Sequence, residues 1–337
     1  MYKAAIIGCG NIAGRYDEIK QDNNVYTHAG MYTSIPQFNI SCASDNNEER
    51  LREFCNFWEI DKYYVDYKDM LKKEEFNIIS LATPDESHSQ ILSDIVIYSK
   101  PDIIFTEKPL AIKPRIALEI YKSCKQNNIK LIVDYIRRWD QTHQEIKDFI
   151  KNGKIGKIKK VTGYYVRGIR HNGCQLINLI QFLFGRINCV QVIGESDKGS
   201  FVNDHSMDVR LILENQVELY MLALDKNDYD FSIFELDIFG KKGRIKIMNG
   251  GQKFEFYSPE TDVLFPNFKT LINKPAWSST YSNAMIEAGK DMLSMLNNNY
   301  NNINNSAKEA IDDLFVIEAV LQSAKSNNKL TNIMRTF

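Results

Sequence analysis

Read for its apolar and polar positions, the first part of the chain alternates short strand-like runs with one-sided helical patterns. KAAIIG, NISCAS, NIISLAT, DIIFTE and KLIVDYI are largely apolar, and segments such as NEERLREFCNFW and PRIALEIYKSCKQNN separate them. A strand covered on both faces is apolar throughout, whereas a covering helix needs one apolar face, so the alternation predicts a parallel sheet with crossover helices. After KNGKIGK, Lys151 to Lys157, the pattern changes. KIKKVTGYYV, DVRLILEN, QVELYMLAL, FSIFELDIFG, GRIKIMNG and KFEFYS carry turn residues between most of them and predict an antiparallel sheet. Two long helical patterns close the chain. In the last, Ala310, Leu314, Ile317, Leu321 and Ala324 step by four and three, which predicts a single core-facing stripe. NNNYNNINN between them lacks apolar anchors and reads as a surface loop.

Length and composition narrow this picture. At 337 residues and 44% apolar, the chain can bury more than one core, which predicts two domains. Lys+Arg 42 against Asp+Glu 43 leaves a formal charge of -1 with no basic stripe or polybasic cluster, so neither nucleic acid nor a membrane surface is an expected partner. Cys9, Cys42, Cys55, Cys124, Cys174 and Cys189 form no C-x-x-C pair and lie mostly in apolar contexts, as reduced core thiols do. The opening MYKAAIIGCG is too short an apolar run for a secretory signal, and no stretch approaches the roughly 18 apolar residues of a membrane span. A cytoplasmic setting is the expectation.

AAIIGCGNIAG places Gly8 and Gly10 directly after the first strand, with Ala13 at the third small position and a helix opening at about Asn11. Such a turn lets a pyrophosphate approach backbone N–H groups at a helix N-terminus, which makes Gly8, Gly10, Asn11 and Ile12 the candidate phosphate contacts. Asp45, at the end of the next strand, can accept from adenosine ribose hydroxyls and repel a 2'-phosphate, which points to NAD and leaves NADP possible. It lies further along than the usual spacing of about 20 residues, so RYDEIKQDNNVYT, Arg15 to Thr27, reads as an insertion in the first crossover. The alternative role for Asp45 is capping the helix NEERLREF. SLATPDESH and TEKPLAIKP each follow an apolar strand, so Ala82, Thr83, Pro84, His88, Glu107 and Lys108 are expected at the carboxyl edge where open α/β sheets bind ligands. His28 and His88 are each more often packing or helix-end residues than catalysts, and no histidine pair among His28, His88, His143, His171 and His205 has metal-ligand spacing, so no metal is expected.

Gly8-Cys9-Gly10, ATPDESH, EKP at Glu107 to Pro109, YIRRWD at Tyr135 to Asp140 and IFGKKGRI together resemble the glucose-fructose oxidoreductase, inositol dehydrogenase and rhizopine catabolism family (Gfo/Idh/MocA) over essentially the whole chain. The resemblance implies an α/β protein: a Rossmann doubly wound parallel sheet over 1–136, then an α+β domain for substrate binding and oligomerisation over 137–337 with a large open antiparallel sheet. It also implies NAD(P)-dependent redox at a sugar or polyol carbon, homodimers or homotetramers built on that sheet, and roles in cofactor and substrate contact for Lys108 and Pro109, whose peptide is often cis in the family.

In RHNGCQLINLIQFLFG the usual family pattern D-x-x-x-H-x-x-D is replaced by His171, Gln175 and Asn178. RGIRHNG is similar to a branch acting in surface-polysaccharide and nucleotide-sugar pathways, and the departure comes at Cys174 and Gln175. Gln175 only hydrogen-bonds, while a histidine at 171 is able to exchange a proton. If the segment is helical, His171, Gln175 and Asn178 share one face opposite Leu176, Ile177, Leu179 and Leu183. Lys108 and His171 are thus the candidate acid and base, with Asn172, Gln175, Asn178, Arg138 and Arg167 as candidate substrate contacts, the arginines suited to a carboxylate or diphosphate. The loss of the usual acid and histidine keeps two other outcomes open: transient oxidation with no net redox, and a binding protein without chemistry.

Overall fold

The computed structural model describes residues 1–19, 22, 24–198, 204–229, 233–299 and 306–335. Most of the Asn-rich stretch, residues 300–305, lies outside them. The chain divides into two compact units, Met1–Trp139 with Ser282–Ile311 and Asp140–Tyr281 with Asp312–Phe337.

In the first unit the strands are β1 (Tyr2–Ile7), β2 (Phe38–Ser44), β3 (Tyr63–Tyr64), β4 (Ile78–Leu81), β5 (Ile103–Glu107) and β6 (Lys130–Asp134). The connecting helices are α1 (Tyr16–Ile19), α2 (His28–Ser34), α3 (Glu48–Phe57), α4 (Tyr67–Lys73), α5 (His88–Tyr98) and α6 (Pro114–Gln126). All strand pairs are parallel, in the order β3-β2-β1-β4-β5-β6. The order reverses between β1 and β4, so the loops leaving their carboxyl ends diverge and open a crevice. Helix starts follow the side-chain chemistry. Thr27 accepts from the Gly30 N–H at α2 and Asn47 from the Arg50 N–H at α3, each satisfying a backbone donor the first turn leaves open.

The first unit also takes α10 (Ala284–Leu296), which a single cut at 136/137 assigns to the second domain. Its buried stripe of Ala284, Met285, Ala288 and Met292 joins the core of the parallel-sheet unit. A Cβ on Gly289 would stand 2.4 Å from Ile35 Cδ1, so α10 seats against α2 only because that position has no side chain. Trp139 Nε1 donates to Asp291 of the same helix at 3.1 Å.

The second unit opens with α7 (Gln141–Lys151), β7 (Ile158–Tyr165) and α8 (Gly173–Phe184). Then come β8 (Ile187–Lys198), β9 (His205–Leu213), β10 (Glu218–Ala223), the turn α9 (Lys226–Tyr229), β11 (Phe234–Gly240), β12 (Gly243–Met248), β13 (Lys253–Thr261) and β14 (Lys269–Lys274). The remainder of α11 (Ala307–Lys325) and β15 (Thr331–Asn332) complete it. The described strands form one sheet, β14-β13-β12-β11-β7-β10-β9-β8-β15. It is mostly antiparallel, but β7 and β10 are parallel neighbours. A parallel pair needs a long crossover; α8 and the β8-β9 hairpin supply it, and neither β8 nor β14 was expected from the sequence.

The single stripe expected on α11 is too narrow. Asp312, Asp313, Phe315 and Val316 are buried as well, while Leu321 and Ala324 are partly open. Polar partners make that burial tolerable. Asp312 accepts from Arg186 and Arg335, and Asp313 accepts from Asn178 Nδ2 at 2.5 Å and Gln181 Nε2 at 2.8 Å. Asn178→Ala removes a donor from a fully buried carboxylate and is expected to cost about 1–3 kcal/mol. Urea unfolding measures that loss, and NADH binding should stay unchanged.

Candidate active site

The turn after β1 is built as a phosphate cradle. Gly8 has φ 93°, a conformation side chains rarely adopt, and a Cβ there would stand 2.5 Å from the Ala82 carbonyl oxygen. A Cβ on Gly10 would meet nothing within 4 Å, so open space lies in front of this backbone. Asn11–Arg15 winds as a π-type turn with Asn11 exposed and Ile12 half-buried. Ala13 is buried as expected, yet the closest helix packing falls one residue on. A Cβ on Gly14 would be 2.4 Å from Trp58 Nε1 and 2.5 Å from Phe54. The cradle fits a dinucleotide pyrophosphate. Cys9 between the glycines is no nucleophile, because burial and then the Asp45 charge push its thiol far above the usual range.

Asp45 stands at the end of β2 with every lone-pair direction used. Its Oδ2 accepts from Cys9 N at 2.8 Å and Arg50 Nε at 3.0 Å, and its Oδ1 from Asn47 N at 2.8 Å and an Arg50 amino group at 2.7 Å. Burial alone would raise its carboxyl; Arg50 and the two backbone N–H groups outweigh that and hold it below the usual range. The sign follows. A depressed carboxyl stabilises the fold above its unfolded pKa of about 3.9, and the contribution is lost as pH falls through the lower folded value. Asp45 therefore ties the glycine turn to α3, and Asn47 takes the helix cap that the alternative reading gave to Asp45.

The two loops leaving β4 and β5 are joined by His88. Its Nδ1 lies 2.8 Å from the Pro109 carbonyl oxygen and its Nε2 2.8 Å from that of Thr83. Thr83 Oγ1 in turn meets Ser87 Oγ at 2.7 Å, Ala82 is buried and Pro84 exposed. Lys108 is half-buried at the end of β5 and its peptide to Pro109 is cis. The expected convergence of Ala82, Thr83, Pro84, His88, Glu107 and Lys108 on one edge holds for the first unit. Arg138 follows β6 in a short 3-10 turn and is buried, beside the equally buried Arg137.

Beneath this edge lies a group the sequence reading missed. Parallel register sets Glu107 beside Asp134, and His28 Nε2 reaches Glu107 Oε1 at 3.2 Å. His28 is fully buried against Phe105, its Nδ1 is 3.0 Å from Ser80 Oγ, and Ser80 Oγ is 2.7 Å from Tyr32 Oη. Burial tends to raise Glu107, but the His28 bond and charge, then Lys108 and His88, bring it below the usual carboxylate range. Asp134 goes the other way: burial, the Glu107 charge and a bond to Glu107 lift it well above, against Arg137 and Lys108. The only signal in the sequence was that EKP and VDY end neighbouring strands.

In the second unit, Arg167 has φ 65° and Gly168 φ 94°, and the turn they open is held by buried Asp204. Asp204 accepts from Arg170 N at 2.9 Å and His171 N at 3.1 Å, while burial, only partly offset by those bonds, raises its carboxyl. His171 therefore lies in the turn before α8, not on its face, and the four-and-three spacing does not align it with Gln175 and Asn178. Turn bonds from Asn172 N and Gly173 N to the Gly168 carbonyl delay the helix until Gly173. His171 and Gln175 are half-buried, Asn172 is buried, and Asn178 is committed to Asp313. Cys174 donates to the His171 carbonyl at 3.2 Å.

A parallel sheet in the order 3-2-1-4-5-6 with a glycine cradle after its first strand defines an NAD-binding Rossmann unit. Residues 2–135 match the model of an oxidoreductase family with an NAD-binding Rossmann fold, and the chain belongs to that family, Gfo/Idh/MocA. Its cofactor is NAD. The uncharacterized oxidoreductase YrbE of Bacillus subtilis is 26% identical over 129 residues, 38% of this chain and 37% of its own length. The myo-inositol 2-dehydrogenase of Thermotoga maritima is 25% identical over 130 residues, 39% of this chain and 38% of its own length. The match thus spans under two-fifths of either curated relative. The crystal structure of the WlbA dehydrogenase from Bordetella pertussis, in complex with NADH and UDP-GlcNAcA, is 16% identical and covers 100% of this chain and 99% of its own, with a TM-score of 0.76. That likeness carries the fold of both units.

Proposed function

We propose that the protein transfers a hydride between NAD and a carbinol or keto carbon of a sugar or polyol, with a nucleotide-linked sugar as the favoured substrate. The observation that carries this reading is the placement of Lys108, a half-buried lysine at the carboxyl edge of β5 whose charge acts on two buried carboxyls. Bound NAD supplies the hydride acceptor. Lys108 takes the hydroxyl proton as the hydride leaves, and returns it in the reverse direction. The charge it gains with that proton favours the developing alkoxide. His171 is the second acid-base candidate of this reading. Asn172, Gln175, Arg167 and Arg138 are its candidate substrate contacts; Asn178 drops out because Asp313 holds it.

The nucleotide-sugar preference draws on RGIRHNG and on the ligand of the Bordetella dehydrogenase, and a place in surface-polysaccharide synthesis belongs to the same reading. Assembly into homodimers or homotetramers through the nine-stranded sheet is also part of it, checked by light scattering. A cytoplasmic setting is supported by the six free, buried cysteines. Gln175 favours a second reading, transient oxidation followed by elimination or cleavage, in which cofactor is used catalytically. The deciding experiment identifies any co-purifying nucleotide and screens free and nucleotide-linked sugars for the absorbance of reduced nicotinamide. Turnover with only trace cofactor and no net change in that absorbance would select the second reading, and ligand binding with no turnover would defeat both.

Cofactor choice gives a separate prediction. Arg50 neutralises Asp45 and offers a guanidinium near the expected ribose position, so the wild type should bind NADPH measurably, though more weakly than NADH. Arg50→Ala bares the carboxylate and should weaken NADPH by about tenfold with NADH little changed. Fluorescence titration of both reduced cofactors checks it, and an equal loss for the two would reject this role for Arg50.

A further inference from the structure

The buried group under Lys108 contains more than hydride transfer requires. Glu107 and Asp134 are register partners at the ends of adjacent parallel strands, and both are withdrawn from water. Two carboxyls so placed cannot both ionise cheaply, because the second charge would face the first in a poorly solvated site. His28 Nδ1 meets Ser80 Oγ, which also meets Tyr32 Oη, and His28 Nε2 meets Glu107; with the proton on Nε2, whether the ring is neutral and accepts from Ser80 or is charged and donates to it, Glu107 receives a donor. That chain delivers a donor to Glu107 and none to Asp134. Asp134 Oδ1 is buried with no hydrogen-bond partner among the described residues. A bare buried oxygen is costly on a carboxylate and much less so on a neutral acid whose hydroxyl is given to its neighbour.

We propose that Asp134 is a positioning residue: it shares one proton with Glu107, so that the pair presents a single negative charge beside Lys108 and tunes how strongly the site holds the oxidised nicotinamide. The charged and titratable groups acting on the pair are His28 from α2, His88 from α5, Lys108 from the β5 loop and Arg137 after β6, with Tyr32 and Ser80 behind His28. Their charges favour a lone anion there. The ligand atoms of His28, Glu107 and Asp134 lie within 4.8 Å of one another, as a metal set would. A divalent cation is the poorer occupant, since Lys108 and Arg137 already supply positive charge to these carboxyls. When the pair releases its proton at higher pH, its charge goes from one to two negatives, and the positively charged NAD ring gains over the neutral ring of NADH.

The inference rests on the dehydrogenase reading, which sets the nicotinamide beside Lys108. Its tests need no sugar, so a failed substrate screen leaves them standing and their failure leaves turnover untouched. In protein labelled with ¹³C at aspartate carboxyls, one resonance should keep its protonated position at pH 7, vanish in Asp134→Asn and persist in Asp204→Asn. The ratio of NADH to NAD dissociation constants should rise several-fold across the pH range in which that resonance titrates, and stay flat in Asp134→Asn. If Asp134→Asn does not fold, Glu107→Gln serves instead: with the neighbouring charge gone, the Asp134 resonance should titrate at lower pH than in the wild type, and an unchanged titration would overturn the shared proton. An ionised Asp134 at pH 7 overturns the proposal, and so does a ratio with the same pH response in wild type and Asp134→Asn. A melting temperature that Mg²⁺ or Mn²⁺ raises in wild type but not in Asp134→Asn also overturns it, by showing a metal where the proton should be.

Discussion

Lys108→Ala should lower kcat on the sugar found by the substrate screen by about 1000-fold or more, while the NADH dissociation constant stays within a few-fold of wild type. General acid-base transfer contributes about 10²–10⁴ in rate, and stabilisation of a developing alkoxide adds to it. Both losses fall on the transition state, so they appear in kcat rather than in cofactor binding. Lys108→Arg should restore little, because a guanidinium keeps the charge but does not give up a proton near neutral pH. The packing of the loop is the control. His88 continues to bridge the carbonyls of Thr83 and Pro109 whatever stands at residue 108, so the melting temperature should barely change. A variant retaining a tenth of the wild-type rate would remove Lys108 from the chemistry and leave His171 as the remaining candidate.

The parts of this site legible in the sequence are those fixed by neighbours along the chain. Gly8 and Gly10 follow a strand, and a strand-turn-helix allows them few other roles. The EKP and ATP segments end apolar runs, and the sheet grammar sends both to one edge. What escaped is fixed by neighbours across the sheet. His28 reads as a helix-start histidine and is one; only the register of β4, β5 and β6 brings Ser80, Glu107 and Asp134 around it. His171 was placed on a helix face by periodicity, but periodicity cannot register Asp204, some 33 residues on, which holds the turn backbone short of the helix. Likewise, α10 looked like part of the second domain by order alone, whereas its side chains complete the core around α2. The parallel β7 and β10 pair was hidden because both strands alternate as antiparallel strands do.

Gly8→Ala and Gly10→Ala should separate folding from cofactor binding, with the larger effect at Gly8. An alanine at Gly8 must hold φ 93° and place its Cβ 2.5 Å from the Ala82 carbonyl oxygen and 2.9 Å from Thr83 Cγ2. The first costs about 1–2 kcal/mol. The second forces apart backbone at the ends of β1 and β4, a further 1–3 kcal/mol or so. The turn would shift or the fold would loosen, so the unfolding midpoint should fall, and NADH binding should be lost along with the geometry of the cradle. Gly10 has φ -83°, which any residue adopts, and its Cβ would meet nothing within 4 Å. Gly10→Ala should therefore keep the wild-type unfolding midpoint to within about 0.5 kcal/mol. The methyl group would nevertheless stand where the pyrophosphate approaches the backbone, so NADH should bind at least tenfold more weakly. Urea unfolding and fluorescence titration of both variants give the comparison. A Gly10→Ala protein that binds NADH like wild type would mean the open space before Gly10 is not where the dinucleotide lies, and the cradle would have to be sought on another loop of the same edge.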